Sequence, residues 1–216
     1  MSLFLGKIHY WVFNKILWFE NLEENIIEIV SKDGIDVKNI RSKIENKYGK
    51  KLENKNLEEI IDLENIHDWL QNKFHSSEAR LAVWIKIVLE NNPDIKIKLE
   101  KIFKEQGTLT AKEAKVERKY NTASDIYDSI NNYILDGMPC DKVNIISISE
   151  ENLVKWKRSA CIHEEIWTKV GLDVEIFYNL RNIWIENFVK ELNSNFKYLE
   201  ESPGEYKISK KIKIRS

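Results

Sequence analysis

Glycine, proline and cysteine are scarce in this chain, with seven, three and two among 216 residues. So few glycines, none of them in G-x-G-x-x-G or P-loop spacing, argue against a backbone cradle for nucleotide phosphates. G-x-S-x-G and H-E-x-x-H are also missing, which removes the nucleophile-elbow and zincin readings. Two cysteines cannot build a disulfide framework. Their contexts, Pro139-Cys140-Asp141 and Ala160-Cys161-Ile162, are not zinc knuckles, so a reducing cytoplasm is expected. An excess of one charge is lacking too: 34 basic and 35 acidic residues give a net charge of -1. The signs alternate along most of the chain, whereas nucleic-acid binding calls for a basic face. The stretch Lys207 to Arg215 holds Lys207, Lys210, Lys211, Lys213 and Arg215, but Ile208, Ile212 and Ile214 alternate with them, as in a strand. No run approaches the roughly 20 apolar residues of a membrane span. The apolar N-terminal stretch is interrupted by Lys7, His9 and Lys15 and reads as a buried helix rather than a signal peptide. The expected partner is therefore a small molecule, with no nucleic acid and no membrane.

Hydrophobic residues make up 43% and charged residues 32%, enough for a full core beneath a solvated surface. The expectation is an α+β single domain over 1–216, with a helical bundle over 1–137 and an α+β part over 138–216 sharing its core. In the first helix Phe4, Ile8, Trp11, Lys15, Trp18 and Leu22 follow one side, and Tyr10, Phe13, Leu17 and Phe19 widen the arc. It stops near Asp33-Gly34, and a second helix covers about 37–48. Helical material over 56–92 ends at Asn92-Pro93 and is expected to break at Ser76 or Ser77, a helix-capping signal. A short helix over 94–105 precedes Gly107, and a long one runs from Thr110 to Leu135. After Pro139 the period changes to two. One hairpin is expected around 149–152 and another around Ser202-Pro203-Gly204, with helices over 163–170 and 174–193 between them.

Cys161-Ile162-His163 is the first candidate site. On a strand, residues 161 and 163 share a face, so a thiolate and an imidazole can pair. At a helix start, the N-terminal dipole would activate the thiol instead. The plainer alternative is a small buried apolar cysteine beside an ordinary first-turn histidine. Cys140 and Asp141 lie in the tight turn Asp136-Gly137-Met138-Pro139-Cys140-Asp141, which is either a functional loop or a helix stop. His9 on the apolar first helix is either a core histidine or a proton carrier. Glu64, His67, Gln71, His75 and Glu78 would form one stripe on an unbroken helix. E-x-x-H occurs there once, while di-iron bundles need it twice, so a solvated or interface edge is the expected reading.

The order Asp136-Gly137-Met138-Pro139, strand Trp156, Cys161, Gly171, Phe177-Tyr178 and Gly204-Glu205 before the last strand resembles the L-2-amino-thiazoline-4-carboxylate hydrolase-like family of bacterial proteins. The likeness spans about 135 to 214. Further cysteines of that pattern fall here on Tyr178 and Ile208, and its acidic residue falls on Arg181 or Asn182, so only Cys161 carries over. The resemblance implies hydrolytic opening of a small sulfur and nitrogen heterocycle. The expected function is thus a small-molecule hydrolase-like enzyme cleaving a C–N or C–S bond, with Cys161, His163, Cys140, Asp141 and His9 in its site and no resident cofactor. Two alternatives stand beside it. One is a non-catalytic binding domain with a ligand among the aromatics, and the other is a metal protein using Cys140, Cys161, His163 and one of His9, His67 or His75.

Overall fold

The computed structural model describes residues 4–32, 34–91 and 95–212. The stop signals at Asp33 and Asn92-Pro93-Asp94 and the residues Lys213, Ile214 and Arg215 lie outside them. In chain order the elements are α1 (Lys7–Lys32), α2 (Val37–Tyr48), α3 (Leu57–Ile60), α4 (Ile66–Asn91), α5 (Ile95–Glu117), α6 (Ala123–Asn131), β1 (Asn144–Ser149), β2 (Leu153–Arg158), α7 (Glu164–Val170), α8 (Val174–Leu192), β3 (Phe196–Ser202) and β4 (Glu205–Lys210). The fold is α+β, with N-terminal helices followed by a four-stranded antiparallel sheet. The chain divides into two compact units that interleave in sequence. Unit one comprises Met1–Leu99, Tyr133–Pro139 and His163–Val174. Unit two comprises Glu100–Asn132, Cys140–Ile162 and Glu175–Ser216.

In unit one, α1 and α4 pack along each other, burying Val12, Ile16, Ile26 and Val30 of α1 and Leu70, Leu81, Trp84, Ile85 and Val88 of α4. The arc predicted for α1 is narrower than expected, since Ile8 is 45% exposed and Phe4 precedes the helix and is 83% exposed. Arg80 is buried in this unit with Glu20 and Glu23. Its Nη2 donates to Glu20 at 2.5 Å and its Nε to both oxygens of Glu23 at 3.0 and 3.1 Å. Its Nη1 donates to the Gly49 carbonyl and to Ser76 Oγ, while Glu20 accepts from the Leu52 amide. One guanidinium thus fixes α1, α4 and the 49–52 connection together. Burial pushes both carboxyls up, against the pull of Arg80.

The expected break at Ser76 or Ser77 does not occur. Ser77 Oγ donates back to the Phe74 carbonyl and Ser76 Oγ to the Tyr48 carbonyl, so both hydroxyls serve a continuous helix instead of capping a new one. The interruption lies earlier, at 61–65, where the Glu64 amide donates to Asp62 Oδ1. That local turn leaves Glu64 off α4.

In unit two the strand order is β1-β2-β4-β3. Val154 and Trp156 of β2, Tyr206 and Ile208 of β4, and Phe196 and Tyr198 of β3 are buried, in the alternation that a one-sided sheet requires. Ion pairs Lys155–Glu201, Lys207–Glu201 and Lys157–Glu205 join residues of the intervening positions. Tyr127 of α6 meets Trp156 with ring centroids 4.8 Å apart. Both predicted hairpins form, at 150–152 and 203–204.

The expected stop at Gly107 is absent, because α5 runs through it. The break falls instead at 118–122, where Thr122 and Asp125 form a capping box that starts α6. Gly107 serves packing: a Cβ there would lie 2.4 Å from the Trp184 carbonyl oxygen. Gly to Ala in a helix interior ordinarily gains about 1 kcal/mol. Gly107→Ala should instead lower stability by about 2 kcal/mol or more, read from urea unfolding, because backbone rather than a side-chain tip must move.

Candidate functional site

Unit one holds a chain of buried ionisable groups. His163 begins α7, and its carbonyl accepts from the Ile166 and Trp167 amides. This places residues 163 and 167 one turn apart on the same side. Both point their ring N–H at one acceptor: His163 Nδ1 lies 2.7 Å and Trp167 Nε1 2.8 Å from Glu78 Oε1. Phe74, one turn before Glu78 on α4, packs edge-on against the imidazole at 6.1 Å. From the 133–139 segment, Asp136 Oδ1 lies 3.2 Å from His163 Nε2. His163 and Glu78 are fully buried, while the Asp136 side chain keeps 13% exposure. Burial alone would strip the proton from the imidazole, but Glu78 and Asp136 outweigh it and raise its pKa to about 9. His163 is therefore an imidazolium at neutral pH, donating from both nitrogens. Glu78 Oε2 is buried and has no hydrogen-bond partner among the described residues.

Lys15 belongs to the same unit. It projects from the buried side of α1, 4% exposed, with Nζ 3.5 Å from the centre of the Trp11 ring. Burial lowers its pKa to about 7, and the Asp136 carboxylate partly offsets that. Among the described residues Lys15 has no ion pair and no hydrogen bond.

His9 and His67 form a separate pair. The Gly6 amide donates to His9 Nδ1 at 2.9 Å, which puts the proton of the neutral ring on Nε2, facing His67 Nε2 at 3.3 Å. A cation at His9 Nε2 would need a proton on Nδ1, where the Gly6 N–H already points. Burial and then His67 lower the His9 pKa. The pair lines a cleft of about 290 Å³ with Glu64 and Asp68. Of the predicted stripe, Glu64, His67, Gln71 and His75 are exposed, whereas Glu78 is the buried ligand of His163. No cluster of three or more His, Cys, Asp or Glu is placed to hold a metal among the described residues.

Unit two contains Cys161, Cys140 and Asp141. Cys161 is half-buried, with Sγ 3.1 Å from Tyr178 Oη of α8. The Arg158 guanidinium lies 3.5 Å over the Tyr178 ring, and Arg181 lies 4.7 Å from it. Arg158 Nη1 is buried without a hydrogen-bond partner among the described residues, and its Nη2 is 3.9 Å from Glu175. Burial raises the Tyr178 pKa above its ordinary value, with the Cys161 contact adding to it, so the phenol stays protonated as a donor. Asn182 joins Tyr198 Oη at 2.7 Å to Glu200 at 2.6 Å behind this group. Cys140 and Asp141 are exposed on a short 3-10 turn, Pro139–Asp141.

The five residues expected to form one site thus have different immediate surroundings. His163 meets carboxylates, Cys161 meets a tyrosine, and His9 meets Gly6 and His67. Sequence reading gave no role to Lys15, Tyr178, Arg158 or Arg181, and placed Asp136 only within the 136–141 turn. An inward-facing lysine in an aromatic arc was a visible signal, but the partners of His163 and Cys161 are distant in sequence and left none. No helix among the described residues is long and apolar enough to cross a membrane. Protein-family models, curated proteins and solved structures contain no match to this chain.

Lys15 and His163 oppose each other in pH dependence. His163 is raised from 6.5 to about 9, so its stabilisation is complete below 6.5 and is lost as pH rises through 9. Lys15 is lowered from 10.5 to about 7, so the unfolded chain binds more protons across that interval and stability grows with pH there. The two slopes cancel in large part between pH 7 and 9. Lys15→Met should raise stability at pH 6.5 and expose the histidine slope, a fall of about 3 kcal/mol by pH 9.5 in urea unfolding.

Proposed function

We propose that the protein is a hydrolase-like enzyme acting on a small molecule, with Cys161 as the nucleophile and a C–N or C–S bond of a small heterocycle or amide as the bond cleaved. The observation that carries this reading is the Cys161 Sγ contact with Tyr178 Oη beneath the Arg158 guanidinium, whose Nη1 has no acceptor among the described residues. The likeness of residues 135–214 to the thiazoline-carboxylate hydrolase-like pattern adds Cys161 independently of this geometry.

In this reading the sulfur adds to the electron-poor carbon of the substrate. The thiol proton passes to Tyr178 Oη as the phenolic proton goes to the leaving nitrogen or sulfur, so the phenol is regenerated as the bond breaks. Arg158 and Arg181 supply positive charge where negative charge develops on the substrate. Water then cleaves the thioester or its equivalent, releasing product and restoring the thiol. This step uses no histidine: the hydrogen-bond partners of His163 are Glu78 and Asp136.

Cys140 provides an internal control, since it is exposed and Cys161 only half so. With iodoacetamide at pH 7.5, peptide mapping should show Cys161 alkylated roughly tenfold or more faster than Cys140, with the advantage reduced in Tyr178→Phe. Opening of a 2-amino-thiazoline-4-carboxylate should be lost in Cys161→Ser and kept in Cys140→Ser. A Cys161 that reacts more slowly than Cys140 would contradict the assignment.

A further inference from the structure

We propose that Lys15 is an imine-forming amine, so that unit one carries a second reactive centre that condenses with small uncharged aldehydes or ketones, with Asp136 and His163 moving the proton. A buried lysine that bridges two carboxylates has a structural purpose, but Lys15 has no ion pair or hydrogen bond among the described residues; its Nζ lies against the Trp11 ring, and the Asp136 carboxylate acts on it only through its charge. Burial on those terms costs stability, as buried charge without a matched partner does. A desolvated lysine beside a proton-transfer group is the arrangement that nucleophilic amines require.

The proton-transfer group is present in the same unit. Asp136 acts on Lys15 and is itself bound to His163 Nε2, whose other nitrogen is held by Glu78. Asp136 is the member of this chain that keeps solvent exposure, at 13% of its side chain, and Trp11 beside Lys15 is half-buried. Further along α1, Glu20 and Glu23 are occupied by Arg80. The buried Glu78 Oε2, which has no hydrogen-bond partner among the described residues, adds an acceptor to this group. Two carboxylates against one imidazolium disfavour an anionic substrate, and the small exposure of Lys15 restricts size. Together these select a small, neutral carbonyl compound.

The step balances without an outside oxidant or reductant. The unprotonated Nζ adds to the carbonyl carbon, and the carbonyl oxygen takes a proton that His163 releases through Asp136. The carbinolamine then loses water to give a protonated imine, and hydrolysis reverses each step. Because burial brings the Lys15 pKa to about 7, its free-amine fraction at that pH exceeds that of an ordinary lysine by about three orders of magnitude.

The test is reductive alkylation of the intact protein with acetaldehyde and cyanoborohydride, followed by peptide mapping. At pH 7, Lys15 should be ethylated at least about tenfold ahead of the exposed lysines, once access is discounted. Its rate should level off near pH 7 to 8 while theirs keep climbing. Asp136→Asn should shift that midpoint to lower pH. Cys161→Ser should leave the labelling unchanged, so failure here is separable from failure of the cysteine reading. Labelling of Lys15 at or below the rate of the exposed lysines in the unsubstituted protein would overturn the proposal.

Discussion

Burial of ionised side chains along α1 and α4 is the constraint on which unit one depends. Glu20, Glu23, Glu78, Arg80 and His163 are all buried where α1, α4 and the start of α7 pack, so each charge must find its opposite inside the protein. Arg80 neutralises Glu20 and Glu23 and closes the 49–52 connection with its remaining nitrogen. His163 performs the same task for Glu78 and Asp136, and in doing so it anchors α7 and the 133–139 segment to α4. Removing either cation would leave buried carboxylates uncompensated, which costs far more than an exposed ion pair contributes. Register between helices that apolar packing alone would leave free to slide is thereby fixed.

Much of the architecture was legible because local signals and tertiary packing agree. Gly49 and Gly171 end α2 and α7 with positive φ, and alternating apolar residues set both hairpins. The failures share one cause, namely a residue whose local preference is overruled by a distant neighbour. Gly107 reads as a helix stop but admits the Trp184 carbonyl oxygen. Ser76 reads as a cap but reaches back to Tyr48. Glu78 reads as part of a polar edge but receives His163 and Trp167 from a helix 85 residues on.

The site was less legible than the fold. Cys161 and His163 are two positions apart, and adjacency suggested pairing. In the structure the sulfur contacts Tyr178 while the imidazole binds Glu78 and Asp136, contacts separated by 17, 85 and 27 residues. Such long-range choices depend on topology, which a single sequence does not display. Lys15 shows the opposite case. It was counted within the apolar arc of α1, and its inward position was visible, yet a lysine on a buried face only becomes chemically informative once the described residues are seen to offer it no salt bridge.

Everything in unit one turns on His163 being a buried imidazolium held by two carboxylates. Nitrogen-15 NMR of the histidine-labelled protein tests it directly, since ring-nitrogen shifts separate the charged ring from either neutral tautomer. With His163→Gln used to assign the resonance, both nitrogens should be protonated at pH 7.5 and titrate only near pH 9. A neutral His163 ring at pH 7.5, with one nitrogen unprotonated, would rule out the buried imidazolium.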